Sequence, residues 1–386
     1  MDLAYSAEDE AFRARVRAWL REHLAAARAA EAPAGDGLVQ AKAWQRAMYE
    51  AGLVGLAWPR AYGGQDASIT QQVILNEELA RAGAPALVNT IGLTILGPAL
   101  IVYGTEGQKR RFLPRILTAE EIWCQGFSEP GAGSDLASLR TRAVEDGDDF
   151  VVSGQKLWTS LGPVADWCFL LARTDPDAPP QEGISYLLMD MRAPGVRMAP
   201  IRQMTGKRHF SELFLDEVRV PKANLVGEKN AGWTIAKATL SFERSGLAGV
   251  VELERLLAKL RVLAGSVGRA GDPVVRQRLA QLAIETAALK YTGYRVLTRQ
   301  LRGAPPGPES AVGKLASSEL RQRMTDLAME IEGPYAAIGR GNARALDRGR
   351  WQGLYLDARA YTIGGGTSEV MRNIIAEHAL GLPKGG

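Results

Sequence analysis

Residues Gln125–Asp135 read QGFSEPGAGSD, with three glycines, two serines and a Glu-Pro pair within eleven positions. Glycine tolerates positive φ and proline removes a backbone donor, so this composition favours a loop over a helix or strand. Such a loop can turn backbone N–H groups and hydroxyls toward an anion such as a pyrophosphate. The same composition is also typical of a surface turn, and the stretch alone does not separate these two interpretations.

The chain before this stretch has a helical pattern. Ser6–Asp9 resembles a capping box and is followed by apolar residues at helical spacing. A second helix is predicted through Trp44 and Met48, and helical patterns resume from about Ile69 to Leu117, with breaks at Ala82–Pro85 and Gly97-Pro98. The first third is therefore predicted to be α-helical.

The chain after the stretch has the pattern of short strands separated by Gly, Pro and Asp. Asp146-Gly147 lies between apolar runs and is a strong hairpin signal, and Pro221 closes the region. The predicted strands are Phe150–Val152, Trp167–Leu171, Ile184–Met189, Val196–Ile201 and Leu213–Val220. This spacing predicts a compact β domain.

The helical period returns at Gly232. The predicted helices cover residues 232–264, 273–301 and 310–332, and a last one begins at Thr367 or Ser368. Asp272-Pro273 has the pattern of an N-cap followed by proline at the first helical position. The predicted domains are an N-terminal α-helical domain over residues 1–120, a middle β domain over 121–226 and a C-terminal helical bundle over 227–386.

Composition excludes several classes of function. The net charge is +4, and the densest basic run, Lys109–Arg111, is too short for a nucleic-acid footprint. Two cysteines outside any CxxC and only three histidines predict neither a disulfide nor a metal site, and they fit a reducing cytoplasm. The N-terminus lacks the pattern of a signal peptide, and the longest apolar run, Ile91–Tyr103, is too short to span a membrane.

Two further segments are candidates for ligand contacts. In Lys156–Gly162, Trp158 could stack on a planar ring while Thr159 and Ser160 hydrogen-bond a ring heteroatom. Taken alone, this segment favours a core tryptophan with strand neighbours. In Gly364–Glu369, a glycine-rich turn leads into a hydroxyl-capped helix that could offer N–H groups to an anion, or it is simply a flexible turn.

Glu243 is the candidate general base. On a helix it shares a face with Leu240, Leu247 and Val250. Burying a carboxylate on an apolar stripe raises its pKa, which suits a carboxylate that accepts a proton. For an ordinary helical Glu, a salt bridge with Arg244 or Arg255 would be the favoured interpretation.

Together these segments resemble the acyl-CoA dehydrogenase family over nearly the whole chain. The resemblance rests on motifs that occur in the right order and spacing: Phe127–Pro130 with Gly133–Asp135, Lys156-x-Trp158-Thr159-Ser160, Glu212–Pro221 and Gly366–Asn373. It implies a multidomain fold with an N-terminal all-α domain, a middle antiparallel β-barrel domain and a C-terminal four-helix bundle.

The resemblance also implies FAD, held between the β domain and the bundle. The positions matching flavin contacts are Gln125, Phe127, Ser128, Trp158, Thr159 and Ser160, with the Ser160 hydroxyl near flavin N5. Gly133 and Ser134 match positions near the pyrophosphate and the CoA thioester arm, and Thr367 and Glu369 match contacts to the FAD diphosphate and ribose.

The implied reaction is α,β-dehydrogenation of an acyl-CoA to the trans-2-enoyl-CoA, with electrons passed to an electron-transfer flavoprotein. Many members carry the base in a Glu-Gly-Thr near the C-terminus, where this chain has Gly365. A branch resembling isovaleryl-CoA dehydrogenase places the base on a bundle helix, as in Glu243-Arg244 here. Arg244 then matches an Arg near CoA, and the Gly365 amide is the expected donor to the thioester oxygen.

The segments that reach a neighbouring subunit's FAD depart from the family pattern. The Gln-x-x-Gly-Gly stretch reads Glu330-Ile331-Glu332-Gly333-Pro334, and no Arg-x-x-Phe-Gly occurs between Leu263 and Pro273. We expect a homodimer or homotetramer, with a heteromer left open. Two alternatives remain: a non-catalytic or half-site subunit of a heteromeric steroid side-chain dehydrogenase, and a flavin monooxygenase on the same fold.

Overall fold

The computed structural model describes residues 5–29, 36–242, 247–302, 307 and 309–384. The chain divides into two compact units. The helical unit comprises the described residues of Met1–Leu20, Ile69–Gly83 and Arg244–Gly386. The sheet unit comprises the described residues of Arg21–Ser68 and Ala84–Glu243.

The described residues form α-helices in both units and one eight-stranded sheet. The helices are α1 (Ala7–Ala29), α2 (Asp36–Glu50), α3 (Ile69–Ala82), α4 (Gly97–Tyr103), α5 (Glu106–Leu117), α6 (Gly232–Phe242), α7 (Leu247–Ser266), α8 (Pro273–Leu301), α9 (Glu309–Glu332), α10 (Arg350–Tyr361) and α11 (Ser368–Ile374). The strands are β1 (Trp123–Gly126), β2 (Arg142–Asp146), β3 (Asp149–Ser160), β4 (Trp167–Arg173), β5 (Ile184–Asp190), β6 (Val196–Ile201), β7 (Phe210–Pro221) and β8 (Leu225–Val226).

Helix starts follow the local sequence signals. Ser6 Oγ accepts the Asp9 N–H at 3.1 Å, and the Asp9 carboxylate accepts the Ser6 N–H at 3.3 Å, which confirms the predicted capping box. Asp272 accepts the Val274 N–H at 2.9 Å ahead of Pro273, which confirms the N-cap of α8. Residues 243–246 lie outside the described chain, so the predicted helix over 232–264 is seen only as α6 and α7.

The sheet has the strand order β6-β7-β3-β2-β4-β5-β8, with β1 added alongside β4. All five predicted strands are confirmed, and β2 and β3 form the predicted hairpin, with Asp146 opposite Asp149 and Gly147 at φ +58. Most neighbours pair in the predicted antiparallel sense, but β1 and β4 pair in parallel, as does the single β2–β4 contact. The buried face of the sheet includes Phe150, Val152 and Leu170.

The core of the helical unit lies between α7, α8, α9 and α10, where Leu253, Leu260, Met324 and Trp351 are fully buried or nearly so. The sequence pattern did not predict α10. Only Trp351 and Ala358 of this helix are buried, so its apolar stripe is too sparse to give a helical period.

Candidate functional site

The QGFSEPGAGSD stretch leaves β1 and folds back in a tight hairpin. The Glu129 N–H donates to the Ala132 carbonyl at 2.9 Å, and the Ala132 N–H donates to the Glu129 carbonyl at 3.1 Å. Pro130 and Gly131 form the tip, which suits a proline followed by glycine. A Cβ added at Gly131 or Gly133 would meet no atom within 4 Å. The backbone beyond the hairpin is therefore open to an approaching ligand.

A buried ion pair underlies this loop. Lys156 is fully buried, and its Nζ donates to Glu129 Oε1 at 2.8 Å and to the Phe127 carbonyl at 3.2 Å. The other Glu129 hydrogen bonds come from the N–H groups of Arg140 at 2.6 Å and Thr141 at 2.9 Å. Burial opposes ionisation of Glu129, but Lys156 and these donors hold the pKa of Glu129 below its ordinary value.

The desolvated position of Lys156 lowers the pKa of its ammonium group, against the attraction of the Glu129 carboxylate.

Trp158 is turned outward by an irregularity in β3. The register between β3 and β7 shifts between Lys156 and Thr159, and Trp158 has φ +61. A positive φ is unusual for a bulky residue and marks a strained backbone. The Trp158 ring is 54% exposed and packs edge-on against Phe210, with centroids 5.9 Å apart. The core-tryptophan interpretation is therefore wrong, and this indole offers a free face for stacking.

The two hydroxyls after Trp158 have different surroundings. Thr159 is fully buried opposite Ser211 of β7, and its Oγ1 has no hydrogen-bond partner among the described residues. Ser160 is half-buried at the end of β3. Ser160 therefore presents the more accessible hydroxyl.

The predicted flavin segments of the sheet unit lie together. The Leu157 N–H donates to the Ser128 carbonyl at 2.8 Å, which joins the loop to β3 beside Trp158. The Phe127 ring is buried and packs edge-on against Phe169 and Tyr186, with centroids 5.7 and 6.0 Å away. Gln125 lies in β1, half-buried, whereas Gly133 and Ser134 are exposed past the hairpin.

The helical unit holds the other predicted segment at the start of α11. Thr367 caps this helix, its Oγ1 accepting the Val370 N–H at 3.2 Å, which confirms the predicted start. Gly365 and Gly366 have φ +67 and +95, so the turn needs glycine. Glu369 is exposed, and a hydrogen bond from its own backbone, together with the Thr367 side chain, lowers its pKa.

A cavity of about 610 Å³ adjoins Thr367 and Glu369. Its wall is formed by Glu319, Gln322, Arg323, Asp326, Thr362, Ile363, Thr367, Ser368, Glu369 and Arg372. Ser368 is buried, and its Oγ has no hydrogen-bond partner within the described chain. An unpartnered hydroxyl on a polar cavity wall is suited to a polar ligand.

Glu243 and Arg244, predicted as the base and a CoA contact, lie outside the described residues. Sequence reasoning gave no role to the pair formed by Glu129 and Lys156, although both residues belong to the motifs quoted above. It also missed the wall that α9 contributes to the cavity through Gln322 and Arg323.

Within the described ranges, no group of three His, Cys, Asp or Glu is placed to hold a metal ion. No helix in the described part of the chain is long and apolar enough to cross a membrane.

Comparison with known proteins covers nearly the whole chain. Three family models match: acyl-CoA dehydrogenase N-terminal domain over residues 6–120, middle domain over 124–218 and C-terminal domain over 230–380. The acyl-CoA dehydrogenase IpdE1 of Mycobacterium tuberculosis is 42% identical, over 97% of this chain and 98% of the relative.

Two solved assemblies have chains of similar structure. One is the Tcur3481-Tcur3483 steroid ACAD, with a TM-score of 0.88 at 32% identity and all of both chains covered. The other is the ChsE4-ChsE5 complex from Mycobacterium tuberculosis, with a TM-score of 0.87 at 34% identity, again over all of both chains. The resemblance and the fold class are thereby confirmed, and the chain belongs to the acyl-CoA dehydrogenase family of oxidoreductases.

Proposed function

We propose that this protein oxidises an acyl-CoA thioester to the trans-2-enoyl-CoA, using FAD, and passes the electrons to an electron-transfer flavoprotein. The observation that carries the proposal is the outward indole of Trp158, which is held at a strained φ of +61 and 54% exposed beside the QGFSEPGAGSD loop. An aromatic face kept open at such a backbone cost fits a residue that stacks on a planar ligand.

The residues present fit FAD. In the sheet unit, Trp158 would lie against the isoalloxazine ring, Ser160 would hydrogen-bond its edge, and the open backbone at Gly133 and Ser134 leaves room for phosphate oxygens. In the helical unit, Thr367 and Glu369 would contact the diphosphate and ribose. The Ser368 Oγ, which has no hydrogen-bond partner among the described residues, would supply a further polar contact there.

Bound FAD would supply the hydride acceptor for the β-hydrogen. This chain's own residues would remove the α-proton, stabilise the thioester oxygen and contact CoA. Glu243 would remove the α-proton, and the Gly365 N–H would donate to the thioester oxygen, where negative charge develops during proton removal. Arg244 would contact CoA. The role of Glu243 is assigned from its position in the sequence, since the residue lies outside the described chain.

The Glu243→Gln variant tests this assignment, because glutamine keeps the shape and cannot accept the proton. We expect it to retain flavin absorbance and to lose ferrocenium-coupled oxidation of acyl-CoA by about a thousandfold or more. Glu252→Gln on α7 is the matched control, since the Glu252 side chain is 57% exposed and pairs with Arg321. Near-normal turnover of the Glu243 variant would refute the role of Glu243.

A second candidate is a subunit of a heteromeric steroid-CoA dehydrogenase that holds an incomplete site by itself. Two observations favour it: two of the similar structures are two-protein complexes, one of them a steroid ACAD, and the Glu330–Pro334 segment departs from the family pattern. Flavin absorbance of the chain purified alone, and again with a copurifying subunit, separates the two candidates. A turnover screen of acyl-CoAs of graded length and branching, including steroid-CoA thioesters, then identifies the substrate.

A further inference from the structure

The irregular step in β3 coincides with a change in what the strand contacts. Up to Lys156 the strand pairs with β7, where Lys156 lies opposite Leu213. At Leu157 the backbone N–H turns instead to the Ser128 carbonyl at 2.8 Å. The β3–β7 pairing resumes at Thr159, so Trp158 lies in the gap between the two registers.

Lys156 reinforces this switch through its side chain. Its Nζ donates to the Phe127 carbonyl at 3.2 Å, so consecutive residues of β3 hold the consecutive carbonyls of Phe127 and Ser128. The Lys156 side chain is completely buried, and its Nζ ends on Glu129 at 2.8 Å. A buried ammonium group needs such partners because its desolvation is costly.

Glu129 ties the QGFSEPGAGSD loop to the chain that follows it. Its carboxylate accepts the N–H groups of Arg140 at 2.6 Å and Thr141 at 2.9 Å, the two residues just before β2. One carboxylate therefore links the QGFSEPGAGSD loop to β3 through Lys156 and to the residues just before β2. Gly133 and Ser134 lie on the chain between these anchor points.

We propose that Glu129 and Lys156 are positioning residues for the flavin, and that their ion pair holds the Phe127–Ser128 backbone against β3 so that Trp158 leaves the strand toward the ring. The inference rests on the proposed function, since it takes the flavin to lie at Trp158. We expect neither residue to touch the ligand, because Lys156 is fully buried and Glu129 is only 8% exposed.

The Glu129–Lys156 ion pair fixes particular backbone groups in a way that apolar residues could not. Well-packed apolar residues of the same volume would stabilise a core as well or better, so stability alone does not explain a buried Lys–Glu pair. What the pair supplies is directed hydrogen bonding to one chosen carbonyl and two chosen N–H groups. The carbonyl belongs to the QGFSEPGAGSD loop, and the two N–H groups belong to the residues just before β2.

The test compares three variants with the wild type: Lys156→Met, Glu129→Gln and the two combined. The full-length chain, with any subunit that copurifies, is stripped of flavin and titrated with FAD while the visible spectrum is recorded. Thermal midpoints of the apo and FAD-loaded forms are measured in parallel. Arg111→Met is the matched control, since Arg111 makes a two-pronged pair with Glu121 in the same unit at 2.7 and 2.8 Å.

We expect each variant of the pair to raise the Kd for FAD at least about tenfold and to shift the flavin absorption bands. The Arg111 control should lower the apo midpoint with the spectrum unchanged. The combined variant leaves no buried charge unpaired, so it should fold even where a single variant does not, and its Kd should remain raised.

Folded variants with a wild-type Kd and spectrum would overturn the inference and leave the proposed function standing. A loss of affinity that the Arg111 control matches would overturn it too, since the effect would then be general destabilisation. A wild-type protein that binds no FAD would overturn the proposed function and this inference together.

Discussion

Thr159 and Ser211 lie directly opposite each other on β3 and β7, and neither buried hydroxyl has a hydrogen-bond partner among the described residues. A buried polar group without a partner costs about 1–3 kcal/mol. Thr159→Val keeps the shape and removes the hydroxyl, so we expect it to raise the free energy of unfolding by about 1 kcal/mol. Chemical denaturation of the flavin-free protein measures this change.

Ser160→Ala is the companion to Thr159→Val. Because Ser160 is half-buried and Thr159 is fully buried, we expect Ser160→Ala to weaken FAD binding about tenfold, while Thr159→Val leaves affinity within about twofold. A larger loss of FAD affinity in Thr159→Val than in Ser160→Ala would mean that the Thr159 side chain rotates toward the flavin when FAD binds.

The strain at Trp158 gives a prediction in which FAD binding is lost while stability is not. Trp158 has φ +61, a conformation that costs a non-glycine residue about 1 kcal/mol and costs glycine little. Trp158→Gly should therefore leave the apo protein as stable as the wild type or slightly more so, since the lost contact with Phe210 is at the surface. FAD affinity should fall by at least about a hundredfold because the stacking face is gone.

The matched control is Trp158→Ala, which removes the same ring and keeps a Cβ at positive φ. We expect it to bind FAD as poorly as Trp158→Gly but to be less stable by about 1 kcal/mol. Equal stability of the two variants would show that the backbone at this position relaxes without cost.

These residues show why some of the site followed from sequence and some did not. The β2–β3 hairpin and the Thr367 cap were predicted because turns and caps depend on neighbouring residues. The outward turn of Trp158 depends on a register shift against β7, more than fifty residues further along the chain. The Glu129–Lys156 pair joins residues 27 apart, and no local pattern marks it.

A buried glutamate among three arginines in the helical unit gives an acid-dependent prediction. Glu78 is 4% exposed and accepts hydrogen bonds from Arg13, Arg17 and Arg81 at 2.7–3.0 Å. Burial opposes its ionisation, but Arg17 and Arg13 hold the pKa of Glu78 below its ordinary value. Its stabilising effect is therefore present above about pH 4.5 and is lost as the pH falls through the lowered pKa.

Glu78→Gln should lower the free energy of unfolding by about 2 kcal/mol at neutral pH, and this difference should shrink as the pH falls below about 4. The control is Glu50→Gln, whose pair with Arg46 is 65% exposed on both sides and should contribute under about 0.5 kcal/mol. A Glu78 effect that stays constant down to about pH 3 would show that the loss comes from packing instead of charge.

Glu332, at the end of α9, gives a pH dependence of stability that is opposite in sign to that of Glu78. It is 4% exposed, its Oε1 has no hydrogen-bond partner in the described ranges, and burial, with a smaller effect of Asp347, raises its pKa to about 7. Between about pH 4.5 and 7 the folded protein therefore binds more protons than the unfolded chain, so stability falls as the pH rises. Glu332→Gln, which imitates the neutral acid, should gain about 2 kcal/mol of unfolding free energy at pH 8 and nothing at pH 4.

The control is Glu330→Gln, since Glu330 is 56% exposed and pairs with Arg278. Thermal midpoints of both variants, measured between about pH 4 and pH 8, test this prediction. A gain in stability of Glu332→Gln that persists at pH 4 would show that the carboxyl is destabilising even when protonated.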